Sequence, residues 1–288
     1  MNNTATPQVK KRPEEIGILP QTIMYLILFG FTILTLYPLI WMVINSFKTT
    51  QEFLMNPLGL PNRWFFKNYP LAWRLANFST LFLNSILYTG ISTIGIIFFS
   101  LAAAFAFAKI KSKATSFLYG GFLIGILFTI ESLMIPLYLM SFTLGLTDTR
   151  IGVLIPYIGL GLPIGIYLCT EFIKSLPDSV VEAARIDGAS YFKIFLYIII
   201  PMAKPVIATV AIMNALGIWN EFMLINILVS RSDLLSLPVG IMKFSGALAS
   251  DYGKQFAALV IGTVPTVSFY LVLRIRITQG VAAGATKG

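Results

Sequence analysis

The sequence contains no histidine, a single cysteine and few charged residues, which make up 11% of its 288 positions. The absence of histidine excludes imidazole acid–base catalysis, Ser-His nucleophiles and histidine metal ligands. The lone Cys169 excludes an intrachain disulfide and a CxxC metal site, and its apolar neighbours indicate a small packing residue. No GxxxxGK[ST] loop occurs, so the chain does not bind ATP by that route. We therefore expect no enzyme activity, no catalytic residues, no metal site and no cofactor bound by this chain.

Hydrophobic residues, in contrast, make up 57% of the sequence. This composition is typical of a membrane protein rather than of a soluble domain. The net charge of +9 does not indicate nucleic-acid binding, because no basic patch with interleaved aromatic residues is present. We expect membrane lipid, and no nucleic acid, among the partners of the chain.

Six apolar runs are long enough to cross a bilayer as helices. They predict spans at Ile23–Ile44, Thr80–Ala108, Phe117–Leu139, Ile151–Cys169, Ile198–Ile218 and Phe256–Leu273. The first run is too long for a signal peptide and has no small-residue cleavage site, so it predicts an uncleaved span. Pro201 and Pro205 are expected to bend the beginning of span five. The fold class predicted from these runs is an all-α membrane protein.

Basic residues are concentrated on one side of the predicted spans. Six spans place both termini on the same side, and more than half of the 21 lysines and arginines lie there. Because positive charge marks the cytoplasmic side, we predict a multi-pass protein of the cytoplasmic (inner) membrane with cytoplasmic termini. The predicted divisions are a tail (1–19), the first span with an external loop (20–79), a core (80–278) containing a polar loop at 175–205, and a tail (279–288).

The external loop after the first span is rich in aromatic residues. It contains Trp64, Phe65, Phe66, Tyr69 and Trp73. Amphipathic rings suit the interface between membrane and water, which is the interpretation we favour. Contact with an extracellular partner is the alternative.

The polar loop at 175–205 carries helix signals of its own. Pro177 suits the first turn of a helix, where a missing N–H costs nothing, and Asp178 favours the positive end of the helix dipole. Gly188 supplies a stop, because glycine readily adopts the left-handed conformation that ends helices. The loop is therefore predicted to contain a helix of about three turns.

One face of this predicted helix is small and apolar. Val180, Ala184 and Gly188 follow one another at a spacing of four, so they share a face that a second protein is able to approach closely. Glu182 and Arg185 stand beside it and are available for ion pairs. An ordinary amphipathic helix lying on the lipid surface is the alternative interpretation.

The loop also matches a long motif. The string EAA at 182–184 is followed by Gly188 and then by I-x-I-P at 198–201. This resembles the EAA loop of ABC importer permeases, whose pattern is EAA-x3-G-x9-I-x-L-P. The one departure is Ile200 in place of leucine, which conserves volume. A motif of this length is far more specific than a short one.

Three further strings resemble the carbohydrate-uptake class of these permeases. They are EAARIDGAS at 182–190, FLNSIL at 82–87 and WNEF at 219–222. The resemblance covers the chain from about Phe82 to its C-terminus. It implies a type I ABC importer permease with six transmembrane helices and a cytoplasmic coupling helix between spans four and five. The solute implied is a sugar, in particular an oligosaccharide.

The same resemblance implies partners and site residues. The partners are a second permease subunit forming a heterodimer, two ABC ATPase subunits that hold ATP and Mg, and an extracellular or periplasmic solute-binding protein. The residues implied in coupling to the ATPase are Glu182, Ala183, Ala184, Arg185, Asp187 and Gly188.

Candidates for the solute path are Glu131, Asn214, Trp219 and Asn220, because sugars are held by aromatic faces and hydrogen-bonding side chains. Glu131 is the acidic residue placed deepest within a predicted span, where a carboxylate needs a cavity or a partner. Its alternative place is near the outer end of the span, within reach of water or of a neighbouring basic residue. Two rival functions remain open: an ABC importer permease for another solute, such as polyamine or phosphate, and a secondary transporter. The latter is disfavoured, because neither a coupling-ion site nor an internal repeat is evident.

Overall fold

The computed structural model describes the backbone of residues 18–110, 112–247 and 251–285, and the side chains of 21–110, 112–243, 251–268 and 271. Every regular element in this part of the chain is helical. The helices are α1 (Ile18–Asn45), α2 (Thr50–Met55), α3 (Asn68–Leu75), α4 (Phe78–Lys109), α5 (Lys113–Gly125), α6 (Ile130–Thr143), α7 (Arg150–Lys174), α8 (Asp178–Ile186), α9 (Tyr191–Ile194), a π turn (Phe195–Ile199), α10 (Ile200–Met202), α11 (Lys204–Asn220), α12 (Met223–Leu228), a 3-10 turn (Ser232–Leu234), α13 (Leu237–Ala247) and α14 (Tyr252–Ala285). The all-α fold class predicted from the sequence is confirmed.

Helix α4 is the centre of the molecule, and its most extensive contact is with α7. Glycines on α7 permit this close approach. A Cβ atom at Gly161 would lie 2.3 Å from Ile96 Cδ1, and one at Gly165 would lie 2.3 Å from Ser100 Oγ. Small residues at crossing points are the usual means by which membrane helices pack, since lipid supplies no hydrophobic drive between them.

Two apolar clusters extend from α4. The first cluster joins the N-terminal half of α4 to α12, α13 and the loop between them. The second cluster joins the C-terminal half of α4 to α7, α8 and the π turn, and it includes Leu101, Phe105, Ile173 and Ile194. Helix α4 therefore connects the two ends of the molecule through continuous side-chain packing.

Three single helices are long and apolar enough to cross a membrane among the residues that the structure describes. They are Gln21–Asn45, Phe78–Lys109 and Arg150–Lys174, and two bent helix pairs raise the number to at most five. The predicted sixth span, Phe256–Leu273, falls within α14, part of whose side chains lie outside the described residues. Residues 1–17 of the predicted N-terminal tail and the last three residues of the chain also lie outside the described part, whereas Ile18 and Leu19 already belong to α1.

The third predicted span is not one helix, which corrects the sequence prediction. The run at Phe117–Leu139 divides into α5 and α6, which meet at an angle of 105° across a break of four residues. The end of α5 presses against α7, where a Cβ atom at Gly125 would lie 2.8 Å from Pro163 Cγ. The sequence prediction missed the break, although the polar residues Thr129, Glu131 and Ser132 interrupt the apolar run at this point.

The fifth predicted span is bent as expected. Tyr191–Met202 and Lys204–Asn220 meet at 75°. The break falls at Ala203, between Pro201 and Pro205. A proline removes a backbone donor and its ring clashes with the preceding turn, which explains the position of the bend.

The aromatic loop after α1 packs on itself through Phe47. The ring of Phe47 lies 5.2 Å from Trp64, 5.1 Å from Phe66 and 5.3 Å from Tyr69, measured between centroids. These rings therefore form a cluster within the chain, although Trp64 and Phe66 remain half or more exposed. The buried Lys48 closes the turn beneath them by donating from Nζ to the carbonyl oxygen of Asn56 at 2.7 Å. Burial lowers the pKa of Lys48.

Candidate coupling site and solute path

The polar loop folds as a short, well-defined helix, α8. Asp178 opens its first turn, and Pro177 stands one position earlier than predicted, as the residue that precedes the helix. Gly188 has a φ of 79°. The Ala189 N–H donates to the Ala184 carbonyl at 2.9 Å, and the Gly188 N–H donates to the Arg185 carbonyl at 3.0 Å. These bonds form a Schellman motif, so glycine ends the helix as the sequence predicted.

One residue of the face of α8 predicted to meet a partner points toward the chain itself. Ala184 is 9% exposed and belongs to the second cluster, together with Leu101 and Ala104 of α4. Val180 is half-buried and Gly188 is exposed, so this correction applies to Ala184 and not to the whole predicted face. A spacing of four shows which residues share a face, but it does not show the direction in which that face points.

The opposite face of α8 is open. Ser179, Glu182 and Ala183 are exposed, and Ile186 is 86% exposed. Glu182 and Ile186 are four residues apart, so a carboxylate and an apolar side chain stand side by side on this face. We call these four residues the outer face of α8.

Two contacts fasten α8 to its surroundings. At its beginning, Lys109 Nζ, from the last residue of α4, donates to Asp178 Oδ1 at 2.6 Å and to the Leu176 carbonyl at 3.1 Å. Only 4% of the Lys109 side chain is exposed. At its end, the Arg185 guanidinium lies 4.4 Å from the centroid of the Tyr191 ring, a cation–π contact. The Tyr191 ring in turn meets Phe105 of α4 edge-on at 6.3 Å.

An open depression of about 570 Å³ lies between α8 and the end of α4. Its lining includes Lys109, Asp178, Glu182, Arg185 and Ile186. No ion pair among the described residues involves Glu182 or Arg185. The depression therefore presents an apolar contact and charges of both signs, which suits a protein surface better than a small ligand.

The three solute-path candidates on α11 lie in different surroundings. Asn214 is part-buried, donates from Nδ2 to the Val210 carbonyl at 2.9 Å, and places Oδ1 close to Gly161 of α7. Asn220 is exposed and donates to the Leu216 carbonyl at 2.8 Å. The structure does not gather these side chains into one lining.

Trp219 requires a correction. It is 3% exposed and lies in the first cluster, with its ring 5.8 Å from Phe82 in an edge-on arrangement. A tryptophan packed in this way contributes to the core and offers no open ring face on which a sugar can stack. Its large apolar area explains why burial prevails here.

Glu131 occupies an exposed position in the first turn of α6, directly after the break. The break lies level with Pro163, near the middle of α7, so the carboxylate lies deep within the predicted span. Its neighbour at i+4, Ile135, is 71% exposed. Glu131 makes no hydrogen bond to Asn214, Trp219 or Asn220 in the part of the chain that the structure describes.

The string WNEF contains a structural residue that sequence reasoning missed. Glu221 accepts the Tyr157 hydroxyl at 2.6 Å through Oε2 and the Leu224 N–H at 2.7 Å through Oε1. The carboxylate thus holds the first turn of α12 and ties it to the buried Tyr157 of α7. An acidic residue directly before an apolar helical run was the available signal.

The string FLNSIL anchors the segment between α12 and α13 to α4. Asn84 Nδ2 donates to the carbonyls of Asp233 at 2.8 Å and Leu235 at 3.0 Å. Ser85 Oγ accepts the Leu237 N–H at 2.8 Å. These side chains satisfy backbone groups of a buried, irregular segment, which explains an Asn-Ser pair at the start of an apolar helix.

Asp148 links the loop between α6 and α7 to the segment that follows α12, at the end of the molecule away from α8. Its Oδ1 accepts the Ser230 N–H at 2.6 Å and the Arg231 N–H at 3.0 Å. These bonds, with that from Arg231 the larger cause, lower the pKa of Asp148 below its usual value. Asp148 adopts a φ of 56°, in the left-handed region that aspartate tolerates better than most residues.

Known proteins similar to this chain are sugar ABC transporter permeases. The diacetylchitobiose uptake system permease protein NgcG of Streptomyces coelicolor is 34% identical over 91% of this chain and 87% of its own length. The multiple sugar-binding transport system permease protein MsmG of Streptococcus mutans is 35% identical over 91% of this chain and 96% of its own length. The trehalose transport system permease protein SugB of Mycobacterium tuberculosis is 31% identical over 88% of this chain and 93% of its own length.

A solved structure shares the fold. In the crystal structure of a bacterial ABC transporter involved in the import of the acidic polysaccharide alginate, one chain aligns with a TM-score of 0.78 at 26% identity, covering 89% of this chain and 95% of that one. The family model described as binding-protein-dependent transport system inner membrane component matches residues 18–278. The chain therefore belongs to the family of binding-protein-dependent transport system inner membrane components.

Proposed function

We propose that this chain is the membrane-spanning permease subunit of an ATP-driven ABC importer, and that it moves a sugar delivered by a solute-binding protein. The observation that carries the proposal is the outer face of α8. This short helix lies outside the long apolar helices and is fastened to α4. It presents Glu182 and a largely exposed Ile186 to a partner. We propose that an ABC ATPase subunit docks on this face and that Ala183, Arg185 and Asp187 border the contact, with Ala184 and Gly188 shaping the helix.

The proposed topology has six spans, both termini in the cytoplasm and α8 between spans four and five. Lysines at the ends of α4, α5 and α7 support this orientation, since Lys109, Lys113 and Lys174 lie on the side that carries α8. In this proposal α14 supplies the sixth span, and the two bent pairs are the third and fifth spans.

The proposed mechanism is a two-state switch shared with a second permease subunit. ATP and Mg bound between two ATPase subunits close that dimer, and the docked α8 moves with it. Moving an equilibrium from 1:99 to 99:1 requires about 5.5 kcal/mol of differential binding. A helix with one face buried in its own subunit and the other face in the ATPase is suited to transmit a free energy of this size.

A sugar, and in particular an oligosaccharide, is the solute that we propose. The printed names of the relatives include diacetylchitobiose, trehalose and starch degradation products. Glu131 supports this choice, because a carboxylate within a span is costly unless it faces water or a partner, and it readily accepts hydrogen bonds from sugar hydroxyls. Another solute, such as polyamine or phosphate, is the alternative within the same mechanism, and a secondary transporter is the alternative outside it.

The proposal predicts that Glu182→Lys abolishes transport without unfolding the chain. Lysine suits an exposed helical position, but it replaces an acceptor with a donor of opposite charge on the docking face. Uptake of radiolabelled trehalose, maltose and diacetylchitobiose is measured in cells of the source organism that lack the gene and carry each variant. We expect the uptake that the wild-type gene restores to fall to background, with normal amounts of the chain in the membrane.

A second readout identifies the partner. In the wild type, a tagged chain is expected to co-purify with a protein containing a GxxxxGK[ST] loop, and Glu182→Lys is expected to lose it. The matched control is Lys113→Glu, a charge reversal at the exposed first residue of α5, which should retain both the uptake and the co-purifying protein. Normal uptake in the Glu182→Lys cells would contradict the proposal. Uptake that survives ATP depletion but not loss of the ion gradient would favour a secondary transporter.

A further inference from the structure

Lys109 is a buried lysine at a junction of three elements. It is the last residue of α4, it donates to the carbonyl of Leu176 just after α7, and it pairs with Asp178 in the first turn of α8. A lysine with 4% of its side chain exposed is uncommon, because an ammonium group loses hydration on burial. Its two acceptors, at 3.1 and 2.6 Å, replace the water that it gives up.

The pair is unlike an ordinary surface ion pair. Asp178 is 61% exposed, so the carboxylate keeps its contact with water and only the lysine is buried. The lysine chain is therefore held in one place by packing, and α8 is attached to it at its beginning. The far end of α8 is tied to the same helix through Arg185, Tyr191 and Phe105.

Both fastenings lead to α4, and α4 packs against elements at both ends of the molecule. Its largest contacts are with α7 and α11, and its N-terminal half holds the segment between α12 and α13 through Asn84 and Ser85. A displacement of α8 that is passed into α4 therefore reaches the far end of the molecule through one rigid element. A displacement passed only into the short non-helical segments beside α8 does not.

We propose that Lys109 is a positioning residue that couples movement of α8 to α4, and thereby transmits the movement of the ATPase subunits to the solute path. The inference rests on the proposed docking of an ATPase on α8. Lys109 acts after docking: the outer face of α8 holds the ATPase, and Lys109 then makes α4 move together with α8.

The test compares Lys109→Met with Lys109→Arg in the assembled transporter. Methionine keeps the length and apolar stem but removes both donations, whereas arginine retains the charge and the donors. We expect Lys109→Met to retain the co-purifying ATPase and its hydrolysis of ATP, while uptake of the sugar that the wild type transports falls by about tenfold or more, the factor for one lost charged hydrogen bond. Lys109→Arg should restore most of the uptake, and Lys113→Met, at an exposed lysine, should have no effect.

A distance measurement reports the fastening directly. Spin labels are placed at Gly90→Cys on α4 and Ser179→Cys on α8, in a Cys169→Ala background. Gly90 lies about 28 Å along α4 from Lys109, so the pair of labels spans the junction. Gly90 has open space for a side chain. We expect a narrow distance distribution in the full chain and a broader one after Lys109→Met.

Each outcome decides the inference. Normal uptake in Lys109→Met, an unchanged distance distribution, or loss of the ATPase as in Glu182→Lys would each overturn it. If Lys109→Met does not accumulate in the membrane, Asp178→Asn takes its place, since it removes the ion pair and leaves the bond to Leu176. Failure of the proposed function is distinguishable, because Glu182→Lys would then keep normal uptake while the label distances still report on Lys109.

Discussion

At the scale of single residues, chemistry and burial together decide which polar side chains are available to a solute. Trp219 and Asn214 are used in packing, whereas Asn220 and Glu131 remain exposed. Residue type alone did not separate these two groups, because tryptophan and asparagine serve in cores as well as in binding sites. Glu131 differs, since a carboxylate within a span is seldom placed there for packing.

Glu131 is expected to affect the affinity for a neutral sugar more than the rate of transport. Truncation in Glu131→Ala removes a charged acceptor, which corresponds to a rise of about tenfold or more in the apparent KM. Glu131→Gln retains one acceptor oxygen and should fall between alanine and the wild type. The measurement is concentration-dependent uptake of the sugar that the wild-type importer transports.

The control for this position is Ser132→Ala. Ser132 Oγ donates to the Thr129 carbonyl within the chain, so its loss should leave the KM unchanged. An unaltered KM in Glu131→Ala would remove this residue from the proposed solute path.

At the scale of elements, the loops at the end of the molecule away from α8 are held by side-chain to backbone hydrogen bonds rather than by regular structure. The clearest case is the pair of hydrogen bonds that Asp148 accepts from the N–H groups of Ser230 and Arg231, which we call the Asp148 clasp. Its pKa is lower in the folded chain than in the unfolded chain, so its contribution to stability is fully present above the unfolded value. The contribution is lost as the pH falls through the lowered, folded value.

Asp148→Asn is therefore expected to loosen the loop at 229–234 at neutral pH. We expect hydrogen–deuterium exchange of the peptide that covers Ser230 and Arg231 to increase several-fold, because a neutral amide accepts more weakly than a carboxylate. The exchange rate of this peptide in the wild type should approach that in the variant only at strongly acidic pH. Asp233→Asn is the control, since Asp233 pairs with the Arg231 side chain and not with these backbone amides.

The elements also show what the sequence was able to predict. The bend between Pro201 and Pro205 and the stop at Gly188 were predicted correctly, because proline and glycine act through their own backbone geometry. The break at residues 126–129 and the inward direction of Ala184 were not. Both involve neighbours from α4 and α7 that are distant in sequence. The polar residues Thr129, Glu131 and Ser132 mark the position of the break but do not show that the chain turns there.

At the scale of the whole molecule, the proposed topology separates α8 from the Asp148 clasp by the full thickness of the bilayer. Single cysteines at Ser179 and Ser230, in a Cys169→Ala background, test this arrangement. We expect a membrane-impermeant maleimide to label Ser230→Cys in intact cells or spheroplasts, and Ser179→Cys only in inverted vesicles. Labelling of both positions from the same side would overturn the topology.

The break between α5 and α6 places peptide groups that lack α-helical partners in the middle of the proposed third span. The N–H groups of Ile126, Leu127 and Phe128 donate back to carbonyls of α5, but the start of α6 leaves further N–H groups that the helix itself does not satisfy. Hydrocarbon does not solvate such groups. We therefore expect water or a second polypeptide, and not lipid, to cover this part of the chain in the working transporter.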